Sequence, residues 1–208
     1  MPWKLLVLIG VILPLLNFSV AADEFVEGRH YRVLDLPKSQ QQEIREFFSF
    51  YCKQCYSQQE FMQQLVKRIP RRASYVKNHV TGQPNRSAEV ENLLTSAVLI
   101  ADKMRMRDQV VEAIFDHIHQ KKLDFKTVDD VRKLFISVGG NEFMFDSSLG
   151  SYSIDMQLAE MQQTAKALKA QGESNLPNLI INGRYKPLAS QITNIDEYKR
   201  LIYFLLRK

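Results

Sequence analysis

Apolar and polar residues alternate along the chain with two different periods, which predict short strands and amphipathic helices. Residues 45–51 are rich in aromatic side chains and residues 74–80 alternate, so both are predicted to be strands. Between them, apolar residues recur every four positions, which predicts a helix from about Tyr56 to the stop signal at Pro70. The first part of the chain is therefore predicted to run strand, helix, strand.

A block of helices is predicted in the middle of the chain. Ser87 is a candidate N-cap for the first helix, and Thr127 with Asp130 resembles a capping box at the start of the third. Gly172 is well placed to end the fourth. The apolar stripes that define these helices lie at about residues 90–101, 110–118, 131–135 and 153–171.

The last part of the chain is predicted to form a hairpin and a terminal helix. Residues 175–188 indicate two strands around an Asn182-Gly183 turn, a strong short-range hairpin signal. Asn194 and Glu197 have capping-box spacing at the start of an apolar helix. The whole order predicts an α/β fold in which a sheet core is interrupted by a helical insertion.

The N-terminus has the layout of a cleavable signal peptide. Lys4 precedes an apolar run over residues 5–16, and small residues lead to a plausible cleavage site after Ala22. A membrane anchor is the alternative, but the run is shorter than the roughly 20 apolar residues that span a bilayer. Cleavage would leave 186 of the 208 residues, which suits one domain with an insertion. Export would place the protein where disulfides persist.

The charge and the cysteine count argue against two classes of protein. The formal net charge is +5, or +4 without Lys4, which is mild for a nucleic-acid-binding protein. The densest basic run, residues 67–72, is interpreted as a solvated helix end and loop. Two cysteines are too few for a disulfide-scaffold protein.

Both cysteines lie in one short segment, directly after the first predicted strand. A disulfide between Cys52 and Cys55 would close too small a loop to stabilise the fold much. A zinc site would need more ligands, but there is no second cysteine pair, and His117 and His119 would point to different faces of a helix. The third interpretation is a redox pair. The spacing alone leaves all three open, and the flanking strand and helix favour the redox pair.

The predicted strand-to-helix turn offers the chemistry of a redox site. At the start of a helix, free backbone N–H groups favour an anion, and the thiolate is the reactive form of cysteine. Lys53 could favour the thiolate further, or it could be a solvated lysine whose charge is screened. We expect the exposed Cys52 to exchange with a partner's sulfur, and the more enclosed Cys55 to resolve the mixed disulfide.

Four segments together resemble the DsbA family of periplasmic thiol:disulfide oxidoreductases. The segment "EFFSFYCKQCY" is similar to the family's active-site segment, and "NLPNLIINGRYKPL" to its proline loop and following hairpin. "FVEGRHYRVLDLP" is similar to its N-terminal segment, and "VDDVRKLFISVGG" to part of its helical insertion. These segments span nearly the whole chain after the signal peptide, in the family's order.

The resemblance implies a thioredoxin-like fold, which is a central mixed β-sheet flanked by helices, with an inserted all-helical domain. The expected division is a signal peptide at residues 1–22, a first thioredoxin-like part at 23–80, the helical insertion at 81–171, and a second thioredoxin-like part at 172–208.

The resemblance also assigns roles to individual residues. Cys52 and Cys55 match the redox pair of the family. Pro177 matches a proline that is cis in this superfamily and packs beside the disulfide, whereas without the resemblance a trans proline would be expected. Leu176 stands where the family uses its backbone to pair with an extended substrate.

Glu46 and Lys77 match an acid and a lysine that lie beneath the family's active site. A glutamate is costly to bury unless it is paired, and such a group could relay a proton; the alternative is a glutamate on an edge strand that faces water. Lys53 and Gln54 depart from DsbA, which has Pro-His between its cysteines. Because these two residues tune the stability of the thiolate, the redox potential stays open.

The sequence therefore predicts a periplasmic oxidase that donates the Cys52–Cys55 disulfide to unfolded or folding secreted proteins. The disulfide is the oxidant, so neither a bound cofactor nor a metal is expected. The resemblance implies a monomer that a DsbB-like membrane quinone reductase reoxidises. One alternative is a reductase or isomerase, although only about 20 residues lie between the predicted cleavage site and the first core strand, too few for a dimerisation domain. Another is a non-catalytic, chaperone-like peptide binder.

Overall fold

The centre of the molecule is a five-stranded mixed sheet with the order β1-β5-β4-β2-β3. The computed structural model describes residues 24–208, apart from the side chain of Gln191, so the predicted signal peptide lies outside the described residues. Strands β2 and β3 are parallel, and the pairs β2–β4, β4–β5 and β1–β5 are antiparallel. The strands are β1 Tyr31–Val33, β2 Glu43–Phe48, β3 Ser74–His79, β4 Asn178–Ile181 and β5 Tyr185–Pro187.

Helices flank this sheet, and five of the eight α-helices in the described residues lie between β3 and β4 in the chain. The prediction that a block of helices is inserted into the sheet fold is thereby confirmed. The helices are α1 Lys53–Ser57, α2 Gln59–Val66, α3 Ala88–Lys103, α4 Arg107–His119, α5 Val128–Ser137, α6 Glu142–Ser148, α7 Tyr152–Ala170 and α8 Ile195–Arg207, with a 3-10 turn at Ala189–Gln191.

Both faces of the sheet are covered. Because successive side chains of a strand point to opposite sides, β2 contributes to the packing on each face. On one face, Ile44 of β2 packs with Leu201 and Leu205 of α8. On the other face, Phe47 packs with Leu168 of α7. A third cluster joins Phe48, Phe50 and Cys55 to buried residues of α3 to α7. The second cysteine therefore lies where the sheet meets the helical block.

The predicted helix signals are confirmed at three N-termini. The Ser87 side chain accepts a hydrogen bond from the Val90 N–H at the start of α3, and Thr127 and Asp130 form a reciprocal capping box at α5. Asn194 accepts a hydrogen bond from the Glu197 N–H at α8. Each cap satisfies a backbone donor that has no partner within the helix.

The first predicted strand is shorter than expected at its C-terminal end. Strand β2 ends at Phe48, because the chain turns at Ser49, whose carbonyl accepts the Cys52 N–H at 3.1 Å and whose hydroxyl accepts the Tyr51 N–H at 3.2 Å. The following helix also starts earlier, at Lys53 rather than Tyr56. Strand β1 and helix α6 were not predicted, since three and seven residues are too few to show a period. Across residues 24–208, every helix is too short or too polar to cross a bilayer.

Candidate active site

The two cysteines form a disulfide at the turn between β2 and α1. Their Cα atoms are 5.2 Å apart, and Cys52 is the N-cap residue of α1. The Cys55 N–H donates to the Cys52 Sγ atom at 3.1 Å. Cys52 is half-buried, whereas Cys55 is only 1% exposed. The structure thus gives a partner sulfur access to the first cysteine and encloses the second.

The two residues between the cysteines point to solvent. Both Lys53 and Gln54 are exposed. The Lys53 charge therefore acts on the Cys52 sulfur through a medium of high dielectric constant, where ions screen it. The geometry of the turn, rather than a contact from these side chains, supplies the hydrogen bond to Cys52.

A cis peptide bond joins Leu176 and Pro177. Both residues are half-buried, and Leu176 packs against the same apolar cluster as Cys52. Leu176 and Cys52 also line one groove, with a volume of about 570 Å³, that runs between α7, the loop after β3 and the segment before Pro177. The fold thus brings residues 124 positions apart in sequence to one surface.

Glu46 and Lys77 form a buried ion pair on neighbouring strands. The Lys77 Nζ atom lies 2.8 Å from the Glu46 Oε2 atom, and the two side chains are 4% and 2% exposed. The alternative of a water-facing glutamate on an edge strand is wrong, because β2 is paired on both sides. The Lys77 Nζ atom also lies 4.5 Å above the centre of the Phe48 ring, which packs in the cluster that contains Cys55.

Two further residues, neither of them predicted from the sequence, complete this buried pair. The Tyr75 hydroxyl donates a hydrogen bond to the Glu46 Oε2 atom, and the Gln59 Oε1 atom accepts one from Lys77 Nζ at 3.3 Å. Burial, and then the Glu46 charge, hold the pKa of Tyr75 well above its ordinary value, so the phenol remains a neutral donor. The only sequence signal was that Tyr75 and Lys77 are two apart on a strand and so share a face.

His79 is a buried, neutral side chain beside the groove. Its ring packs on Phe48 and Phe50, and its Nδ1 atom lies 2.7 Å from the Thr95 hydroxyl oxygen. That hydroxyl donates to the Glu91 carbonyl oxygen, so it accepts from His79 and the ring carries its proton on Nδ1. Burial lowers the pKa of His79 from 6.5 to about 3. The sequence placed His79 in a strand without a role.

A second buried carboxylate holds the segment that precedes the cis proline. Glu173 is 8% exposed, forms ion pairs with Arg32 and Lys186, and accepts a hydrogen bond from Asn178 Nδ2 at 3.2 Å. Arg32 and Lys186 are opposite each other in the β1–β5 register, so Glu173 neutralises two like charges that face each other. Burial, and then the Arg32 charge, lower the pKa of Lys186.

Tyr51, which precedes Cys52 in the chain, is tied to the helical block. Its hydroxyl donates to Asp124 Oδ1 at 2.8 Å, and the Arg86 guanidinium lies 4.1 Å from the centre of its ring. Burial, and then the hydrogen bond with Asp124, raise the pKa of Tyr51. These contacts hold the residue that precedes Cys52 against the helical block. Within residues 24–208, no three side chains of metal-binding types converge.

The chain is similar to curated thiol:disulfide interchange proteins over nearly its whole length. It is 30% identical to DsbA of Dickeya dadantii, over 97% of this chain and 96% of that protein. It is 28% identical to DsbA of Yersinia pestis with the same coverage. No protein-family model matches the chain.

Solved DsbA structures show the same fold. A DsbA of Proteus mirabilis in complex with a peptide superposes with a TM-score of 0.75 at 24% identity, covering 89% of this chain and all of that one. A DsbA of Klebsiella pneumoniae gives a TM-score of 0.75 at 23% identity, over 90% of this chain. These similarities confirm the predicted thioredoxin-like fold with a helical insertion.

The sequence relatives, the fold and the Cys52–Cys55 disulfide agree with one another. The chain belongs to the DsbA family of thiol:disulfide oxidoreductases.

Proposed function

We propose that the protein is an oxidase that donates the Cys52–Cys55 disulfide to folding secreted proteins. The observation that carries this proposal is the asymmetry of the pair: Cys52 is half-buried at the groove, and Cys55 is only 1% exposed. A substrate thiolate can therefore reach one sulfur of the disulfide and not the other. The first exchange would therefore take place at the Cys52 sulfur.

The reaction would proceed in two exchanges. A substrate thiolate attacks Cys52 Sγ, the Cys52–Cys55 bond breaks, and Cys55 leaves as a thiolate that takes up a proton. A second substrate thiolate then attacks the substrate sulfur of the mixed disulfide and expels the Cys52 thiolate. The substrate loses two electrons and gains a disulfide, and the protein is left as the dithiol.

The Cys52 thiolate is a good leaving group if the folded protein stabilises it. The Cys55 N–H, which points at Cys52 Sγ at 3.1 Å, would stay in place on reduction and donate to the thiolate. A hydrogen bond to the charged form lowers the pKa of a thiol. Lys53 and Gln54, both exposed, would modulate this effect from outside.

The other predicted site residues keep their roles as part of the proposal. The backbone of Leu176, beside the cis Pro177, would pair with an extended substrate at the groove that Cys52 also lines. The Glu46–Lys77 pair contacts the cluster around Cys55 through the Phe48 ring, whose centre lies 4.5 Å from the Lys77 Nζ atom. Glu46 is suited to exchange a proton when the buried Cys55 thiolate forms.

The cellular setting belongs to the same proposal. A cleaved signal peptide at residues 1–22 would deliver the chain to the periplasm, where a DsbB-like membrane quinone reductase would reoxidise the monomer. The domain boundaries near residues 80 and 171 likewise stay a prediction. The protein needs no bound cofactor, because the disulfide itself accepts the two electrons of the substrate.

A trapping experiment tests the roles of the two cysteines. In cells, the free Cys52 thiolate of the variant Cys55→Ser should attack disulfides of secreted proteins and expel one of their sulfurs as a thiolate. The mixed disulfides should accumulate, because no Cys55 thiol is left to resolve them. Cys52→Ser is the matched control, because its single remaining thiol, that of Cys55, is buried. Equal trapping by both variants would contradict the assigned roles, and trapping by neither would favour a non-catalytic binder.

The steady-state redox form tests the direction of the reaction. An oxidase should be found mainly with Cys52 and Cys55 joined, because its reoxidation is faster than its reduction by substrates. A mainly reduced pool in the periplasm would instead support the reductase or isomerase. Acid quenching followed by thiol alkylation measures the two forms.

A further inference from the structure

The groove beside Cys52 combines an apolar floor with a positively charged rim. The apolar residues belong to the cluster between the sheet and α7, and Cys52 also lines the groove. This floor is suited to an apolar side chain next to a substrate cysteine. The apolar residues that line it are Phe47, Val80, Ala165, Leu168 and Leu176.

The rim is formed by α7, which presents two lysines to the groove. Lys166 and Lys169 are three residues apart on this helix and so lie on one face, and both are exposed. Within the described residues, neither lysine has an ion-pair partner. Their charges are therefore available to a bound segment.

The carboxylates near the groove do not offset these lysines. Glu173 lines the groove, but it is compensated by Arg32 and Lys186. Glu91 lies behind the loop after β3, is fully buried, and accepts the N–H groups of Gly82 and Gln83 at 2.6 and 3.1 Å. His79, the other ionisable lining residue, is neutral. The groove therefore presents net positive charge to an incoming chain.

We propose that this groove selects substrate segments in which a cysteine is accompanied by an apolar residue and then by acidic residues. The apolar side chain packs on the floor, and the acidic side chains pair with Lys166 and Lys169. This inference rests on the proposed function and adds a class of substrate to it. Exposed ion pairs each change an equilibrium by roughly two- to five-fold, so the effect is a preference and not an absolute filter.

Three matched peptides test the preference. Each is a dithiol peptide with an apolar residue after its second cysteine, followed by Glu-Glu, Gln-Gln or Lys-Lys. At low ionic strength we expect the oxidised protein to oxidise the Glu-Glu peptide about five-fold faster than the Lys-Lys peptide, measured as kcat/KM. At about 1 M salt, where the screening length is about 3 Å, the difference should collapse.

Charge reversal in the groove should reverse the ranking. The variant Lys166→Glu/Lys169→Glu is expected to prefer the Lys-Lys peptide. The control is Lys67→Glu/Lys133→Glu, which changes the net charge equally at exposed lysines outside the groove and should keep the wild-type ranking.

The outcomes separate this inference from the proposed function. A wild-type protein that oxidises all three peptides at equal rates, or a control variant that reverses the ranking as the groove variant does, overturns the acidic preference alone. A wild-type protein that oxidises neither the peptides nor dithiothreitol overturns the oxidase function, and this inference with it.

Discussion

At the scale of single residues, His79 shows how burial decides the protonation of a side chain. Its ring is enclosed by Phe48 and Phe50, and only Nδ1 has a hydrogen-bond partner, the Thr95 hydroxyl. The buried Nε2 atom has no partner within the described residues. A second proton on this ring would place an unpaired charge in an apolar cluster, which is costly.

We therefore expect His79 to make the protein less stable in acid. The pKa of the ring is about 3 in the folded protein and near 6.5 in the unfolded chain, so between these values the unfolded chain binds a proton that the folded protein does not. The free energy of unfolding should fall as the pH drops through this window, by up to about 1.4 kcal/mol per pH unit.

Urea unfolding of wild type and His79→Gln, at several values between about pH 4 and pH 8, measures this effect. The variant should show a shallower loss of stability in acid, because glutamine does not titrate. His117→Gln is the matched control, because it makes the same substitution at a half-buried ring that stacks on Phe125 and lies outside the Phe48–Phe50 contact. Identical slopes for wild type and His79→Gln would show that the buried histidine is not responsible.

At the scale of elements, one turn residue connects the hairpin to the last helix. Asn182, in the β4–β5 turn, has a positive φ of 48° and is 2% exposed. Its amide donates to the carbonyl oxygens of Leu205 and Leu206 at 3.0 and 3.1 Å, and its side-chain oxygen accepts the Glu43 N–H at 3.0 Å. Asn182 thus caps the C-terminal end of α8 and joins it to β2.

Replacing Asn182 with alanine should destabilise the protein by about 2–4 kcal/mol. The loss has two sources, the strain of a positive φ and the loss of three hydrogen bonds. The Glu43 N–H loses its acceptor, whereas the Leu205 and Leu206 carbonyl oxygens keep the Lys208 N–H and the Gln42 Nε2 atom as donors. The control is Asn85→Ala, at a residue with a similar φ of 61° but an exposed side chain, so this substitution adds only the strain. Denaturant unfolding measures both, and an equal loss in the two variants would mean that the hydrogen bonds of Asn182 contribute nothing.

At the scale of the whole molecule, the redox state of the disulfide is coupled to folding. Cys55 lies in the apolar cluster that joins the sheet to the helical block, and its N–H is directed at Cys52 Sγ. On reduction, this turn would stabilise a thiolate only while the protein is folded. In the unfolded chain, the disulfide closes a loop too short to restrict it much.

For an oxidase, the reduced form should consequently be more stable than the oxidised form. We expect a difference on the order of a few kcal/mol in the free energy of unfolding, where about 1.4 kcal/mol corresponds to 30 mV of redox potential. Urea unfolding with and without a reductant measures it, and Cys52→Ser/Cys55→Ser shows any effect of the reductant itself. A more stable oxidised form would point to a reductase.

Features that depend on residues close in sequence were predicted, whereas features that depend on distant residues were missed. The capping signals at Ser87 and Thr127 and the Asn182-Gly183 turn were predicted correctly, because each depends on residues within four positions. Strand β1 was missed, because three residues in pairing with β5 carry no local signal. Tyr75 and Glu173 were missed as well, because their charged partners lie up to 141 positions away.

The local sequence was enough to predict the chemistry of the site. Two cysteines lie between a strand and a helix, which is a local arrangement, and the family resemblance implied roles for Pro177, Glu46 and Lys77. The tertiary packing was needed to show that Glu46 lies in a central strand and is paired with Lys77, and that Lys166 and Lys169 border the groove at Cys52. Burial and charge compensation depend on which distant segments pack together, and a local pattern of residues does not contain that information.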